Sequence, residues 1–160
     1  MSVSPPLVVV TLRPATVEDC KPVWLWRNDE ETRRASFDPS PIDYATHQSW
    51  FLGSLDNARR KIYIVVAQGE PSGVVRLDIA ARQATVSIHL APERRGQGIG
   101  PAALRALADL ASGELELAVL LASVKPDNHA SLAAFRRAGF TASRAGPTVT
   151  LARDLREGKG

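Results

Sequence analysis

The chain has 160 residues, 44% of them hydrophobic and 23% charged, with 11 Gly and 11 Pro; these values exclude disordered and collagen-like chains and fit one ordinary domain. Twenty Lys and Arg against seventeen Asp and Glu leave a net charge of +3, too small an excess for a polycationic nucleic-acid binder. The single cysteine, Cys20, excludes an internal disulfide framework, no Cys and His pair falls at zinc-ligand spacing, and the apolar runs 62–67 and 117–122 are about a third of the roughly 18 residues a membrane span needs.

Linker-like material is confined to the two ends, so the expectation is one domain over residues 7–155 between flexible tails at 1–6 and 156–160. Residues 1–10 lack the basic start and long apolar core of a secretory signal, which predicts a cytoplasmic protein. Residues 7–13 are rich in Val and Thr and stop at Pro14, a first strand. Thr16 or Asp19 offers an N-cap to a helix carrying Val23, Trp24, Leu25 and Trp26; Asp19 suits Pro22 better, because Pro is tolerated in a first turn. A polar, Arg-containing stretch follows, and from Asp43 the residues Tyr44, His47, Phe51 and Leu55 recur at helical spacing. Residues 61–67, 73–80 and 84–91 read as an antiparallel meander, with the turn formers Gly69, Pro71, Ser72 and Gly73 between the first two strands. From Gly98 to Gly113 the period becomes helical, with Leu104, Leu107, Leu110 and Ala111 on one face. Residues 116–124 read as a buried strand, 128–138 as a helix with Leu132 and Phe135 inward, and 140–143 and 148–155 as the last strands. The order βααβββαβαββ predicts the α+β class on a mixed sheet.

The segment Ser87-Ile-His-Leu-Ala-Pro-Glu-Arg-Arg-Gly-Gln-Gly-Ile-Gly100 runs from a strand through a glycine-rich turn into a helix. Glycines let the backbone approach a ligand closely, and the first helical N–H groups favour an anion such as phosphate. The dinucleotide pattern GxGxxG fails at Pro101, and the P-loop fails because the only Gly-Lys is Gly158-Lys159, before Gly160. The remaining pattern, Arg95-x-x-Gly98-x-Gly100, resembles the acetyl-CoA pyrophosphate loop of the GCN5-related N-acetyltransferase (GNAT) superfamily. Asn128-His-Ala-Ser-Leu-Ala-Ala-Phe135-Arg-Arg-Ala-Gly-Phe140 resembles the second half of that cofactor site, and with Leu12-Arg-Pro-Ala-Thr16 the resemblance covers nearly the whole chain.

The resemblance implies a mixed, mostly antiparallel sheet of about seven strands flanked by four helices, and acetyl-CoA as acyl donor without a metal. It assigns the donor to Leu90, Arg95, Gly96, Gln97, Gly98, Ile99, Gly100, Asn128, Ser131 and Phe135, with Arg94 beside Arg95 facing the phosphates. Leu90 stands where the strand before the loop splays from the next strand and exposes its backbone to the pantetheine arm. On the acceptor side, Trp26-Arg-Asn-Asp29, Arg33, Ser36, His47 and Trp50-Phe51 are similar to the subgroup that acetylates nucleotide-linked amino sugars in the pseudaminic-acid pathway. The same layout resembles ribosomal-protein N-terminal acetyltransferases. Arg27, Arg33, Trp50 and Arg76 are the acceptor candidates, through charge and ring stacking.

An alkylamine with a pKa near ~10.4 is protonated at neutral pH, so the reaction needs a proton acceptor. His89, near the end of the strand that feeds the loop, is the first candidate; Asp78, which should share a sheet face with Arg76, and Glu93 are alternatives. The Leu90 N–H is placed to polarise the thioester carbonyl. Many GNAT enzymes carry a Tyr general acid where this chain has Phe135, which leaves a non-catalytic acyl-CoA sensor as the alternative to an enzyme. The scattered Arg pairs argue against a nucleic-acid stripe, and the expected partners are a small amine and no membrane, with a monomer or homodimer as assembly.

Overall fold

A computed structural model describes residues 8–144 and 146–156. Of the expected tails, 1–6 and 157–160 lie outside the described residues, as does residue 7 at the start of the expected domain.

Strand β1 (Val10–Pro14) pairs antiparallel with β2 (Arg60–Ala67), and β2 with β3 (Glu70–Ala80) and β3 with β4 (Gln83–Leu90) form the expected meander. Beyond it, β5 (Val119–Val124) is parallel to β4, and β7 (Val149–Asp154) lies antiparallel between β5 and β6 (Thr141–Arg144). The sheet order is β1-β2-β3-β4-β5-β7-β6, so the expected mixed, mostly antiparallel seven-stranded α+β architecture is present.

Strand residues alternate between two cores. Tyr63 and Val65 of β2, Val75 and Leu77 of β3, and Val86 of β4 face the core beneath α4 (Ile99–Gly113) and α5 (His129–Arg137). Ile62, Ile64 and Val74 face the opposite core, with Val23 and Trp26 of α1 (Cys20–Asn28) and Phe51 of α3 (Tyr44–Leu55). The α4 face is read from sequence with one adjustment: Leu104, Leu107 and Ala111 are fully buried with Ala103 and Ala108, while Leu110 is only partly covered.

Both candidate caps stand at a helix start, Thr16 before a 3-10 turn and Asp19 before α1, but the Asp19 side chain does not cap α1. Thr16 is the N-cap residue of the 3-10 turn Val17–Asp19, and the Asp19 carboxylate accepts from the Thr16 N–H at 2.8 Å and from both terminal nitrogens of Arg13 at 2.8 and 2.9 Å. Burial opposes ionisation of Asp19, but the Arg13 and Thr16 hydrogen bonds outweigh it and hold its pKa below the usual carboxylate range. Asp43, from which the helical spacing starts in sequence, caps α3 by accepting from the Thr46 N–H at 3.0 Å. A fifth helix, α2 (Glu30–Ala35), occupies what the sequence presents only as a polar stretch. Its single buried residue is Thr32, so no apolar period marks it.

Candidate functional site

Strand β4 is the axis of the site. Only Gln83, Ala84 and Thr85 pair with β5, opposite Val119, Leu120 and Leu121; beyond Thr85 the two strands diverge although each continues. On its other side β4 stays paired with β3 to the end, through Val74↔His89 and Gly73↔Leu90. The Ala91 N–H donates to the Ser72 carbonyl at 2.9 Å. Alternation along the strand therefore turns the N–H and C=O of Leu90 to the open side. Gly73 permits this closeness: a Cβ there would lie 2.7 Å from the His89 carbonyl oxygen and 2.9 Å from Leu90 Cδ2.

The divergence opens a cleft of about 620 Å³ between the ends of β4 and β5, floored by the start of α4 and walled by α5 and α2. Gly96, Gly98, Ile99 and Gly100 line it. Gly96 and Gly98 have φ of 74° and 79°, the left-handed region that makes glycine the natural occupant. The first backbone bond of α4 runs from the Ala102 N–H to the Gly98 carbonyl at 3.4 Å, and no described backbone carbonyl accepts from the N–H groups of residues 96–100. Five amides without a backbone partner among the described residues thus stand at this helix N-terminus, where the sequence reading expects an anion. Pro101, third in the helix, costs nothing there because its missing N–H would have had no helical partner.

The opposite wall holds Asn128, Ser131 and Phe135. The Asn128 side-chain oxygen accepts from the Ser131 N–H at 3.2 Å and caps α5, which leaves its amide nitrogen free to donate into the cleft. Ser131 and Phe135 lie one turn apart, and Phe135 is 2% exposed with its ring edge-on to Phe140 at 5.0 Å. Neither tyrosine of the chain lines the cleft: Tyr63 lies in the core, and Tyr44 packs against Trp24.

The two arginines of the loop are turned away from the expected phosphate position. Arg95 donates to Glu31 at 2.7 Å, to Asp29 at 2.6 Å and to the Thr32 hydroxyl at 2.6 Å, tying the loop to α2 while still lining the cleft. The Arg95 hydrogen bonds hold the Asp29 pKa low. Arg94 donates to Gln68 at 3.0 Å and to Glu70 at 2.7 Å. Gln97 also points back, donating to the Glu93 carbonyl at 3.0 Å, and neither Gln97 nor Glu93 lines the cleft.

On the α1 and α3 side of the sheet, a small recess is lined by Val23, Arg27, Trp50, Ile62, Val74, Arg76, Ser87 and His89. Because His89 and Ser87 also line the main cleft, the recess and the cleft meet at these two residues. Burial, and then the charges of Arg27, Arg76 and Arg95, push the His89 pKa down to about 4, so its imidazole is neutral at neutral pH. The guanidinium carbons of Arg27, Arg60 and Arg76 lie 4.9, 5.4 and 5.3 Å from the Trp50 ring centroid.

Asp78 shares a sheet face with Arg76 as expected, but it lies outside both cavities. Its carboxylate accepts from Arg60 at 2.7 Å and Arg76 at 3.0 Å, the arrangement of a structural ion pair and not of a free base. Arg33 also sits apart from the cavities and donates to the carbonyls of Asn28 at 3.1 Å and Pro39 at 3.3 Å, bracing the segment between α2 and α3. His47 is packed against Trp50 and Phe51, with Nε2 donating to the Cys20 carbonyl at 2.9 Å.

Sequence reasoning passed over Glu31, Thr32 and Phe37, which line the cleft from α2 and the loop after it. The bonds of Glu31 and Thr32 to Arg95 join positions more than sixty residues apart. A second hollow, of about 560 Å³, lies at the far end of β4 among Ala81, Arg82, Gly113 and Leu117, beside the C-terminus of α4. Among the described residues no helix is long and apolar enough to cross a membrane, and no three His, Cys, Asp or Glu side chains are grouped to hold a metal.

Residues 10–141 match the acetyltransferase (GNAT) domain family. Over 151 residues, covering 87% of this chain and 84% of the relative, the sequence is 29% identical to an L-methionine sulfoximine/L-methionine sulfone acetyltransferase of Pseudomonas aeruginosa. The fold is similar to that of the aminoglycoside acetyltransferase AAC(6')-Ib with coenzyme A and kanamycin, at a TM-score of 0.83 and 21% identity over 94% of this chain and 99% of the other. It is equally similar to spermidine N-acetyltransferase from Vibrio cholerae with CoA and spermine, at a TM-score of 0.83 and 18% identity over 92% and 96% of the two chains.

Proposed function

The chain belongs to the acetyltransferase (GNAT) domain family, and from that premise we propose that it acetylates the primary amine of a small acceptor from donor bound between β4 and β5. Acetyl-CoA is the acyl donor and the enzyme is an acyltransferase. The observation that supports this reading is the meeting of the diverged strands, the amides of 96–100 and, at Ser87 and His89, the arginine-lined recess.

The phosphates are held by the amides of 96–100 at the start of α4, since the Arg94 and Arg95 side chains are engaged elsewhere. The Asn128 amide nitrogen and the outward backbone of Leu90 contact the arm, and Ser131 and Phe135 shape the opposite wall. In the transfer, the neutral amine nitrogen bonds to the thioester carbonyl carbon, the C–S bond breaks, sulfur leaves as thiolate, and the nitrogen loses one proton. The Leu90 N–H, facing the open side, stabilises the oxygen that gains charge.

His89 accepts a hydrogen bond from the amine and orients it. With its pKa near 4, against ~10.4 for an alkylammonium, it does not retain the proton, which passes to solvent. Phe135 offers no hydroxyl, and a thiolate with a pKa of about 8.5 departs without protonation. The Ser131 hydroxyl, one turn before Phe135, makes no hydrogen bond to the described residues and is the nearest substitute on that helix.

Residues 7–155 act as one catalytic unit in this reading, because both cores share the same sheet. A nucleotide-linked amino sugar is the acceptor this reading favours, its phosphate charge meeting the guanidinium groups of Arg27 and Arg76 that Trp50 holds at the mouth of the recess. A lone, buried, unpaired Cys20 accords with a cytoplasmic setting.

The test is amine-dependent release of the CoA thiol from acetyl-CoA across a panel of amino sugars, amino acids, polyamines and peptides. Turnover of at least one small amine is expected. Tight binding of acetyl-CoA with no amine turned over would favour a sensor and overturn the catalytic reading.

A further inference from the structure

Four arginines around the site have carboxylate partners: Arg13 on Asp19, Arg60 and Arg76 on Asp78, and Arg95 on Asp29 and Glu31. Arg27 is the exception. It is half-buried, and among the described residues it has no carboxylate and no hydrogen-bond acceptor; its guanidinium lies over the face of Trp50 at 4.9 Å. The recess it lines contains a second guanidinium, Arg76, and no acidic side chain.

We propose that the acceptor carries an anionic group, a carboxylate or a phosphate, and that Arg27, with Arg76 beside it, is the residue that recognises it. This rests on the reading of the site as an N-acetyltransferase centre, and it names the chemical class of the acceptor.

A cation withdrawn from water without an anion is unfavourable, and the last-turn position of Arg27 on α1 supplies only the partial compensation of a helix end. Burial and the neighbouring Arg76 lower the Arg27 pKa, in keeping with an uncompensated charge. Trp50 holds one face of the guanidinium and leaves the in-plane N–H groups for a planar or tetrahedral oxyanion. The recess is only about 20 Å³ and opens onto the cleft at Ser87 and His89, so an anion at its mouth stands beside His89, where the amine is oriented. A polycation would instead bring like charge against Arg27 and Arg76.

The experiment is calorimetry on the CoA-bound protein, in which no transfer can occur, with paired probes that differ in the anion. L-methionine sulfone against its methyl ester reports a carboxylate, glucosamine 6-phosphate against glucosamine reports a phosphate, and spermidine is the polycation. One anionic probe is expected to bind roughly 10- to 100-fold tighter than its neutral partner, the range for a charged hydrogen bond. Whichever pair shows the preference identifies the source of the anion. In Arg27→Gln that ratio falls toward one, and in Arg27→Lys it is partly restored; because each ratio is internal to one variant, a general loss of stability does not mimic the effect. Equal affinity within both pairs, no binding of either anionic probe, a ratio unchanged in Arg27→Gln, or tighter binding of spermidine overturns the proposal. If the preference appears while no amine is acetylated, the acetyltransferase reading fails and the anion site stands.

Discussion

His89→Gln probes the electrostatics at the centre of the site. In the folded protein burial and three arginines hold the His89 pKa near 4, against ~6.5 in the unfolded chain. Above about pH 6.5 both states are neutral at this residue and His89 adds no pH dependence. As the pH falls from ~6.5 to about 4, the unfolded state takes up a proton that the folded state refuses, so stability is lost; below that both are protonated and the loss stops. The gap corresponds to a ceiling of about 3.5 kcal/mol at about 1.4 kcal/mol per pH unit, and because His89 is only half-buried, solvent screening brings the expectation to roughly 1.5–2.5 kcal/mol. The assay is urea unfolding of both proteins at about pH 7 and about pH 4.5, taken as a double difference so that His47 and the carboxylates cancel. The wild type should lose more stability than the variant by that amount, and its His89 resonances should titrate near 4. Parallel pH dependences, or a His89 pKa near 6.5 by NMR, would refute the placement of a neutral imidazole among Arg27, Arg76 and Arg95. In kinetics, His89→Gln should lower kcat/KM while leaving its rise with pH tied to the pKa of the acceptor amine; a displaced limb would show that His89 itself takes the proton.

Gly96 has open space beyond its absent Cβ and a φ that Asp and Asn tolerate. Gly96→Asp should weaken acetyl-CoA binding by about tenfold or more relative to the isosteric Gly96→Asn, as measured by calorimetry, through repulsion between a carboxylate and phosphate; equal affinities would contradict the cradle. Gly73→Ala forces a Cβ against the His89 carbonyl oxygen. It should cost about 1–3 kcal/mol in urea unfolding and raise the KM for acetyl-CoA as Leu90 shifts; unchanged values would contradict the tight β3–β4 approach. Asn128→Asp keeps the cap on α5 but removes the amide donor, so it should raise the KM for acetyl-CoA without loss of stability, whereas Asn128→Ala should lose the cap, about 1 kcal/mol, as well. A KM unchanged in both variants would leave Asn128 with capping alone.

The glycine loop and its helix are legible in sequence because the signals are local: Gly96, Gly98 and Gly100 within five residues, followed by an apolar period running to Ala111. Asn128, Phe135 and the end of β4 at His89 and Leu90 are legible for the same reason, each set by its own helix or strand. Charge partners are not. Arg95 reads as a phosphate ligand until tertiary packing brings Asp29 and Glu31 against it from a helix too short and too polar to show a period. Asp78 reads as a base until the β2–β3 register sets Arg60 opposite it. The value of Arg27 comes from what it lacks among the described residues, a carboxylate partner, and only the assembled structure shows that.

The account depends on where acetyl-CoA binds, and the backbone amide shifts during an acetyl-CoA titration test this most directly. The largest shifts should fall on residues 96–100, Leu90 and Ser131, around the cleft where β4 and β5 diverge. Shifts centred on Ala81, Arg82 and Leu117, in the hollow at the opposite end of β4, with those amides unmoved, would contradict it.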